Sequence, residues 1–402
     1  MREVVVVSAV RTPIGSIGGT LKNMEPERLL AVALEGAIEK AGIKKEDIDE
    51  VICGQAKQST DQPNIARLTS LIVQIPVETP AYTVHRQCAS GMQAILSGMQ
   101  QIQCGASDVV LCGGVESMST APFYVRKVRF GCGNGTQQFC DPNIESQPHS
   151  QPNEIYGTFN MIQTADNVAK KDNISREECD VFALESQRRA VAAINSGRFK
   201  DEIVPVVIPQ RKKDPIVFDT DEYPKRDTSL EKMAKLKPIF EGGVTTAGNA
   251  SGRNDGASAL VIMAKEKAEE FGLKPIARIL AGAAGGVDPR VMGLGPVAAT
   301  NNLFDKFLKP MGIEMKDIGL WELNEAFASQ SLGCLKELGL EDKQDIINVN
   351  GGAIALGHPL GCSGARISTT LIHEMQKRDV RYGVATLCIA GGLGMAMAFE
   401  KL

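Results

Sequence analysis

A stretch near the start of the chain recurs, with the same spacing, 270 residues later. In each copy a helix pattern runs into a glycine, a short acidic turn and a strand pattern. The matching residues are Gly42-Ile43, Asp47-Ile48 and Ala56 in the first copy and Gly312-Ile313, Asp317-Ile318 and Ala326 in the second. A second similarity matches Ser90-Gly91 with Ser363-Gly364, and Gly113-Gly114 with Gly391-Gly392. The repeats predict two similar halves containing βαβ units. The alternative is chance similarity, because glycines and alternating apolar residues recur in any α/β fold.

Strand and helix patterns alternate in both halves. Val4 to Val7 and Asp49 to Cys53 are typical of strands, and Glu25 to Lys40 is typical of an amphipathic helix that ends at Gly42. The strand Asp108 to Leu111 is predicted to end in a turn at Cys112-Gly113-Gly114. In the second half, a helix to Gln376 precedes a strand at Val384 to Leu387. This alternation predicts an α/β fold with a parallel or mixed sheet covered by helices.

The alternation breaks between about residues 119 and 246. The segment 131–152 is rich in Gly, Asn, Gln and Pro, which predicts a loop. A capping box of Ser175 and Glu178 opens a helix, Glu202 to Ile208 is a strand, and Asp214 to Lys232 is an irregular connection. We therefore predict an inserted region at 119–246, an N-terminal half at 1–118 and 247–269, and a C-terminal half at 270–402.

Composition narrows the functional class. A net charge of −4 over 402 residues gives no reason to expect a nucleic-acid or membrane surface, so the expected partner is a small molecule. Ten cysteines at irregular spacing match neither a disulfide scaffold nor a zinc module, which favours reduced thiols in the cytoplasm. No metal is expected. The alternative is a metal site in the loop 131–149, which contains Cys132, Cys140 and His149, but these residues do not make a complete ligand set.

Cys88 lies between an extended run, Pro80 to Val84, and a segment with apolar residues at helical spacing. A cysteine at a helix start faces unpaired backbone N–H groups, which favour the nucleophilic thiolate. The alternative is a small buried residue at a strand-to-helix turn.

Three other loops follow predicted strands and should meet Cys88 at one edge of the sheet. They are Asn324-Glu325-Ala326-Phe327, Gly351 to Pro359 with His358, and Cys388 to Gly392. Each has a structural alternative: Asn324 as a helix cap, His358 as a hydrogen-bonded core residue, Cys388 as the end of a buried strand.

Taken together, these motifs resemble those of the thiolases over essentially the whole chain. The matching motifs are Cys88-Ala89-Ser90-Gly91, Gly248-Asn249-Ala250-Ser251-Gly252, Asn324-Glu325-Ala326-Phe327, Gly351 to Gly364 and Cys388-Ile389-Ala390-Gly391-Gly392. Their order in the chain carries more specificity than any single match. The resemblance implies duplicated βαβ halves in a five-layer αβαβα core, with an inserted loop region.

The resemblance also implies a two-step acyl transfer on 3-oxoacyl-CoA. Cys88 would become an acyl-enzyme after His358 takes its proton, and Cys388 would act as the acid or base on the carbanion. One oxyanion site would be His358 with a water held by Asn324. The other would be the backbone N–H groups of Cys88 and Ala390.

Coenzyme A is implied as a substrate and product, with no tightly bound cofactor. Ser251 would touch the pantetheine, and Met161 and Phe327 would line the acyl pocket. Lys225 or Arg226 would lie near the nucleotide, with a solvated charged loop as the alternative. Acyl-CoA and coenzyme A are thus the expected partners, the acyl chain is expected to be short, as in acetoacetyl-CoA, and the chain is expected to form a tetramer or a dimer.

Three positions depart from the family pattern. His85 replaces an asparagine, Asn160-Met161 stands where short-chain enzymes have His-Met, and Ala390 replaces a glycine. Ala390 fits the oxyanion turn only if its φ is not strongly positive.

Two other functions stay open. A 3-oxoacyl-synthase-like enzyme would lack the second reactive cysteine, Cys388. A non-catalytic acyl-CoA or lipid-binding relative would need none of these groups as reactive groups.

Overall fold

The computed structural model describes all 402 residues and contains twelve strands. The strands are β1 Val4–Arg11, β2 Gly15–Ser16, β3 Glu50–Gly54, β4 Ala81–Val84, β5 Val109–Ser117, β6 Val206–Gln210, β7 Lys213–Phe218, β8 Asn254–Ala264, β9 Ala277–Gly286, β10 Leu320–Leu323, β11 Tyr382–Ile389 and β12 Leu393–Lys401. Ten of them form one sheet in the order β10-β11-β12-β9-β1-β8-β5-β3-β4, with β2 paired to β8. Strands β6 and β7 form a separate hairpin.

The chain also contains thirteen α-helices. They are α1 Pro26–Ala41, α2 Ile65–Ile72, α3 Ser90–Gln103, α4 Pro142–Glu145, α5 Asn153–Tyr156, α6 Met161–Asp172, α7 Arg176–Asn195, α8 Leu230–Ala234, α9 Lys265–Glu270, α10 Gly295–Leu303, α11 Ala328–Leu338, α12 Ala353–Leu356 and α13 Leu360–Arg378. None of them combines the length and the apolar character that crossing a membrane requires.

The two repeated stretches adopt the same local structure. Gly42 and Gly312 both have the left-handed conformation, with φ of 69° and 78°, which terminates the preceding helical segment. Five residues on, the carboxylates of Asp47 and Asp317 each accept a hydrogen bond of 2.8 Å from the backbone N–H three residues earlier. Each copy then enters a strand, β3 or β10, that pairs in parallel with a neighbour. The internal repeat therefore corresponds to a structural one.

The sheet is mixed, and its two halves meet where β1 pairs with β9 in antiparallel register. Alternate side chains of β1 enter different cores: Val4 and Val6 pack toward α3 and α13, whereas Val5 and Val7 pack toward α1 and α2. Helices α10 and α11 cover the outer face of the other half. Helices α3 and α13 lie between the two halves, so the order of layers is αβαβα. This confirms the predicted α/β fold.

The predicted turn at Gly113-Gly114 is wrong, because both glycines lie inside β5. A Cβ on Gly113 would come within 2.5 Å of the Ser258 carbonyl oxygen on β8. A Cβ on Gly114 would come within 2.1 Å of the Gly361 carbonyl oxygen on α13. The glycines therefore allow neighbouring backbone to approach the strand rather than allowing the strand to turn.

The region between β5 and β8 is more regular than predicted. The expected irregular connection 214–232 contains most of β7 and the start of α8, and α6 was not expected at all. The capping box of Ser175 and Glu178 at the start of α7 is present as predicted.

Buried charges attach this region to the rest of the fold. The fully buried guanidinium of Arg11, at the end of β1, donates hydrogen bonds of 2.7 Å to Glu202 and 2.8 Å to Asp221. Both carboxylates belong to the segment between β5 and β8.

Candidate active site

Cys88 occupies a tight turn between β4 and α3. The preceding residue, Gln87, has a φ of 47°, a conformation that costs energy for a residue with a side chain. The Ser90 hydroxyl stabilises the turn, because it donates to the Gln87 carbonyl at 2.6 Å and accepts from the Arg86 N–H at 2.9 Å. The turn leaves Cys88 half-buried at the wall of a cavity. Strained turns of this kind cluster at functional sites.

His358 is fixed just before α13 and is buried. Its Nδ1 atom lies 2.6 Å from the Ser363 Oγ atom, and that hydroxyl also lies 2.9 Å from the Pro359 carbonyl oxygen. A hydroxyl has one proton, and the carbonyl accepts it. The Ser363 oxygen therefore accepts from Nδ1–H, and the Nε2 atom of His358 is left without a proton. This is the tautomer that a general base at Nε2 requires.

Close helix packing brings these two residues together. A Cβ on Gly91, in the first turn of α3, would lie 2.7 Å from the Gly361 carbonyl oxygen in the first turn of α13. A Cβ on Gly364 would lie 2.6 Å from the Met92 backbone nitrogen. The starts of the two central helices can approach this closely only because side chains are missing there. Cys88 and His358, each placed just before one of these helices, therefore open onto the same space.

That space is a cavity of about 280 Å³. Seven of the residues proposed for the site from sequence line it: Cys88, Met161, Ser251, Phe327, His358, Cys388 and Ala390. Cys388 is the penultimate residue of β11 and packs in a small apolar cluster with Phe327 and Met292. The two cysteines, one from each half of the chain, thus share one cavity. This size and largely apolar lining are typical of a small-molecule site.

Burial favours the neutral forms of the two cysteines and the histidine that line this cavity. It raises the pKa of Cys88 to about 11, against the opposing effects of the Ala390 backbone N–H and the Lys57 ammonium. Burial also raises the pKa of Cys388 far above its usual range. For His358, burial and then the Arg366 guanidinium lower the pKa to about 3. The expectation that the helix start favours a thiolate at Cys88 is therefore wrong, because the cost of desolvation is larger than the stabilisation by the nearby N–H groups.

Asn324 reaches the site through His358 and does not line the cavity itself. Its side-chain nitrogen lies 3.5 Å from His358 Nδ1, which is farther than the Ser363 hydroxyl. Its side-chain oxygen is buried and has no hydrogen-bond partner in the protein. A buried polar atom of this kind is rare and indicates a place where water or a ligand binds.

Lys225 and Arg226 are exposed and lie outside the cavity wall. The Lys225 ammonium lies 4.5 Å from the centre of the Tyr223 ring, and Tyr223 itself lines the cavity. Arg226 donates to the Asn195 side chain at 2.9 Å. Only Lys225 is therefore connected, through one aromatic ring, to the predicted site.

The three departures have different structural settings. The Asn160 side chain caps α6 by accepting from the N–H groups of Ile162 and Gln163, at 3.0 and 3.1 Å. His85 is exposed at the end of β4. The φ angle of Ala390 is not positive, because Gly391 and Gly392, with φ of 91° and 82°, form the turn. The alanine therefore fits its position.

Two groups at the site were not proposed from sequence. Lys57 follows the end of β3 and lines the cavity, so its place after a strand was a usable signal. The role of the Ser363 hydroxyl depends on the turn of α13 against His358, which has no sequence pattern of its own. No group of three or more His, Cys, Asp or Glu side chains is arranged to hold a metal ion.

Comparison with known proteins agrees with this fold and site. The family descriptions "Thiolase, N-terminal domain" and "Thiolase, C-terminal domain" match residues 4–266 and 273–401. An acetyl-CoA acetyltransferase of Syntrophomonas wolfei is 48% identical over 402 residues, and a beta-ketoadipyl-CoA thiolase of Pseudomonas aeruginosa is 45% identical over 412; the alignments cover 100% of this chain and of each relative.

Solved structures agree in fold. The acetyl-CoA acetyltransferase of Bacillus anthracis superposes with a TM-score of 0.95 and 44% identity, covering 100% of this chain and 99% of that one. Human mitochondrial 3-ketoacyl-CoA thiolase in complex with CoA gives a TM-score of 0.92 at 42% identity, covering 100% and 98%. Fold and site thus define an α/β acyltransferase with two cysteines in one cavity. The chain belongs to the thiolase family.

Proposed function

We propose that this chain is an acetyl-CoA C-acyltransferase that reversibly cleaves or forms short-chain 3-oxoacyl-CoA through an acyl-Cys88 intermediate. One observation carries the proposal: Cys88, His358 and Cys388 line the same cavity. A nucleophile, a base and a second proton carrier are the groups that such a Claisen exchange needs.

The first half of thiolysis begins at Cys88. His358 Nε2 takes the Cys88 proton as the sulfur attacks C3 of the 3-oxoacyl-CoA. The C2–C3 bond then breaks, which leaves an acyl group on Cys88 and a carbanion at C2 of the departing acetyl-CoA. The Cys388 thiol protonates that carbon. Its raised pKa keeps the proton available until this step.

In the second half, the Cys388 thiolate takes the thiol proton of coenzyme A. The coenzyme A sulfur attacks the acyl group, and the Cys88 sulfur leaves and recovers its proton from His358. Both cysteines and the histidine return to their starting protonation states. The condensation direction uses the same steps in reverse.

Two sets of donors stabilise the oxyanions. The backbone N–H groups of Cys88 and Ala390 both lower the pKa of the Cys88 thiol, so both point toward the reacting sulfur. The enolate oxygen of acetyl-CoA receives Nε2–H of protonated His358 and a water on the unpartnered oxygen of Asn324.

Coenzyme A enters as a substrate and is not retained as a cofactor. Ser251 contacts the pantetheine, and Met161 and Phe327 surround the acyl group. Lys225 and Arg226, both exposed, lie toward the nucleotide. A relative solved in complex with CoA supports coenzyme A as a ligand of this chain.

Intact-mass measurement tests the acyl-enzyme. Incubation with acetyl-CoA should add one acetyl group to the wild type, and coenzyme A should remove it. Cys88→Ala should stay unmodified, whereas Cys104→Ala, which lacks an exposed thiol elsewhere, should be acetylated like the wild type. An unmodified wild type that still binds coenzyme A would favour the non-catalytic binder.

We further propose that the chain forms a tetramer or a dimer. Strand β4 is a half-buried edge of the sheet with unpaired backbone on one side. Phe123, Tyr124, Phe130 and Phe139 expose aromatic rings in one segment. Light scattering should give a multiple of 43.1 kDa. A fully active species of 43.1 kDa would contradict association.

A further inference from the structure

The cavity has an unusual charge balance. Its wall contains two basic side chains, Lys57 and Arg253, and no aspartate or glutamate. Lys57 is half-buried just beyond the end of β3, and Arg253 is exposed, so it stands at the mouth. A short uncharged acyl group supplies no opposite charge for an ammonium group in this wall.

The Lys57 ammonium has no carboxylate partner. Its hydrogen bond goes to the neutral hydroxyl of Ser146, and no ion pair is formed. The nearest buried acid, Glu116, is already occupied, because its oxygens accept from the N–H groups of Ala56, Lys57 and Gly361 at 3.0, 3.0 and 2.9 Å.

The groups around the Lys57 ammonium offset only part of the cost of burying its charge. Burial lowers the pKa of Lys57, and the negative charges of Glu116, of Cys88 in its thiolate form and of Asp141 oppose that effect, while Arg253 adds to it. The interaction with Cys88 also places the ammonium within electrostatic reach of the sulfur that carries the acyl group. Burying a cation without a partner is costly unless a ligand supplies the opposite charge.

We propose that the acyl part of the substrate ends in a carboxylate, and that Lys57, assisted by Arg253, binds it. The inference deepens the proposed function and depends on it, since it names the substrate class of the same cavity. Cys88 and Lys57 line the same cavity, so the ammonium is in the surroundings of an acyl chain held on Cys88. Its terminal carboxylate there replaces water and accepts a charge-assisted hydrogen bond from the ammonium.

A matched pair of substrates tests the inference. 3-Oxoadipyl-CoA and 3-oxohexanoyl-CoA have acyl chains of equal length that end in a carboxylate and a methyl group. We expect the wild type to prefer the first in kcat/KM for thiolysis. Lys57→Met should lose about 10- to 100-fold more in kcat/KM with the carboxylated substrate than with the other. Lys57→Arg should retain the preference, because it keeps the charge.

Lys274→Met is the matched control. It removes one positive charge from an exposed position outside the cavity, and it should change neither value. Melting temperatures of the three variants show whether each has folded. If Lys57→Met does not fold, the inference is decided by Lys57→Arg and by the substrate preference of the wild type.

Three results overturn the inference while the proposed function stands. The first is a wild type that cleaves 3-oxohexanoyl-CoA without preferring 3-oxoadipyl-CoA. In the second, Lys57→Met loses equally on both substrates, which assigns Lys57 to the ionisation of Cys88. The third is a rise in KM for coenzyme A alone, which assigns Lys57 to its phosphates. Cleavage of neither substrate together with no acetylation of Cys88 overturns the proposed function, and this inference with it.

Discussion

The Ser363 hydroxyl and the His358 ring lie 2.6 Å apart, within the first turn of the helix that follows the histidine. Since the same hydroxyl donates to the Pro359 carbonyl, it can only accept from the ring. The pair therefore sets which imidazole nitrogen carries the proton. We therefore expect Ser363 to affect the proposed reaction by positioning His358, without contacting the substrate.

Ser363→Ala should lower kcat/KM for thiolysis by about 10- to 100-fold, because Nδ1–H loses its acceptor and the ring is free to rotate or change tautomer. Initial rates with acetoacetyl-CoA measure the loss. A change in the pH profile of kcat/KM should accompany it, which a purely structural defect would not produce.

Ser368→Ala is the control for that substitution. Ser368 is buried in the same helix, and its hydroxyl donates to the Gly364 carbonyl at 2.8 Å without contacting His358. It should retain activity close to that of the wild type. Equal losses in the two variants would show that helix stability, not the orientation of His358, is responsible.

The alkylation rate of Cys88 should rise by about tenfold for each pH unit between pH 7 and 10. Burial raises the pKa of Cys88 to about 11, so the reactive thiolate is a small and growing fraction over that range. Iodoacetamide labelling followed by peptide mass analysis separates Cys88 from the exposed Cys104 and Cys132. A plateau between pH 7 and 9 would instead indicate a thiolate paired with protonated His358 in the free enzyme.

Cys388→Ser should accept an acetyl group on Cys88 and yet lose at least about 100-fold in condensation. A hydroxyl does not exchange a proton with the α-carbon as a thiol does, whereas the nucleophile is untouched. Cys179→Ala, a buried cysteine of α7 outside the cavity, should keep both activities. Condensation at the wild-type rate in Cys388→Ser would remove Cys388 from the mechanism and favour a synthase-like reaction.

Much of the fold could be predicted because the sequence carries local signals for it. Gly42 and Gly312 end helical segments in the left-handed conformation, and Ser175 with Glu178 forms the capping box that its spacing indicates. Gly113 shows the limit of such signals. A glycine that ends a strand and a glycine that admits a neighbouring backbone look the same in sequence. The domain boundaries at 118, 246 and 269 stay predictions.

The candidate site was partly predictable for a related reason. Residues that follow parallel strands converge at one edge of a sheet, which is why Cys88 and Cys388 could be proposed together. Their protonation could not be predicted, because the raised pKa of each thiol comes from burial by residues distant in sequence. The same holds for Lys57, whose lack of a carboxylate partner appears only in three dimensions.

Arg11→Met should destabilise the fold by about 3–5 kcal/mol, because it removes the only cation paired with the buried Asp221 carboxylate and leaves Glu202 with Arg198 alone. Burial alone would raise the pKa of Glu202, but Arg11 and Arg198 more than offset it and hold the pKa at about 2. In the wild type this carboxylate stabilises the fold above its unfolded pKa of about 4.3, and that contribution is lost as the pH falls toward 2. In the variant the effect of burial on Glu202 is opposed less, because the Arg11 charge is gone. Glu202 is therefore easier to protonate, and its charged form opposes folding. The difference between the two proteins in the free energy of unfolding by denaturant should therefore be larger at pH 7 than at pH 4.

Arg2→Met is the control for that substitution. It removes a half-exposed ion pair with Asp108 and should cost less than about 1 kcal/mol at either pH. A difference for Arg11→Met that does not depend on pH would mean that lost packing, not the lost ion pairs with Glu202 and Asp221, causes the destabilisation.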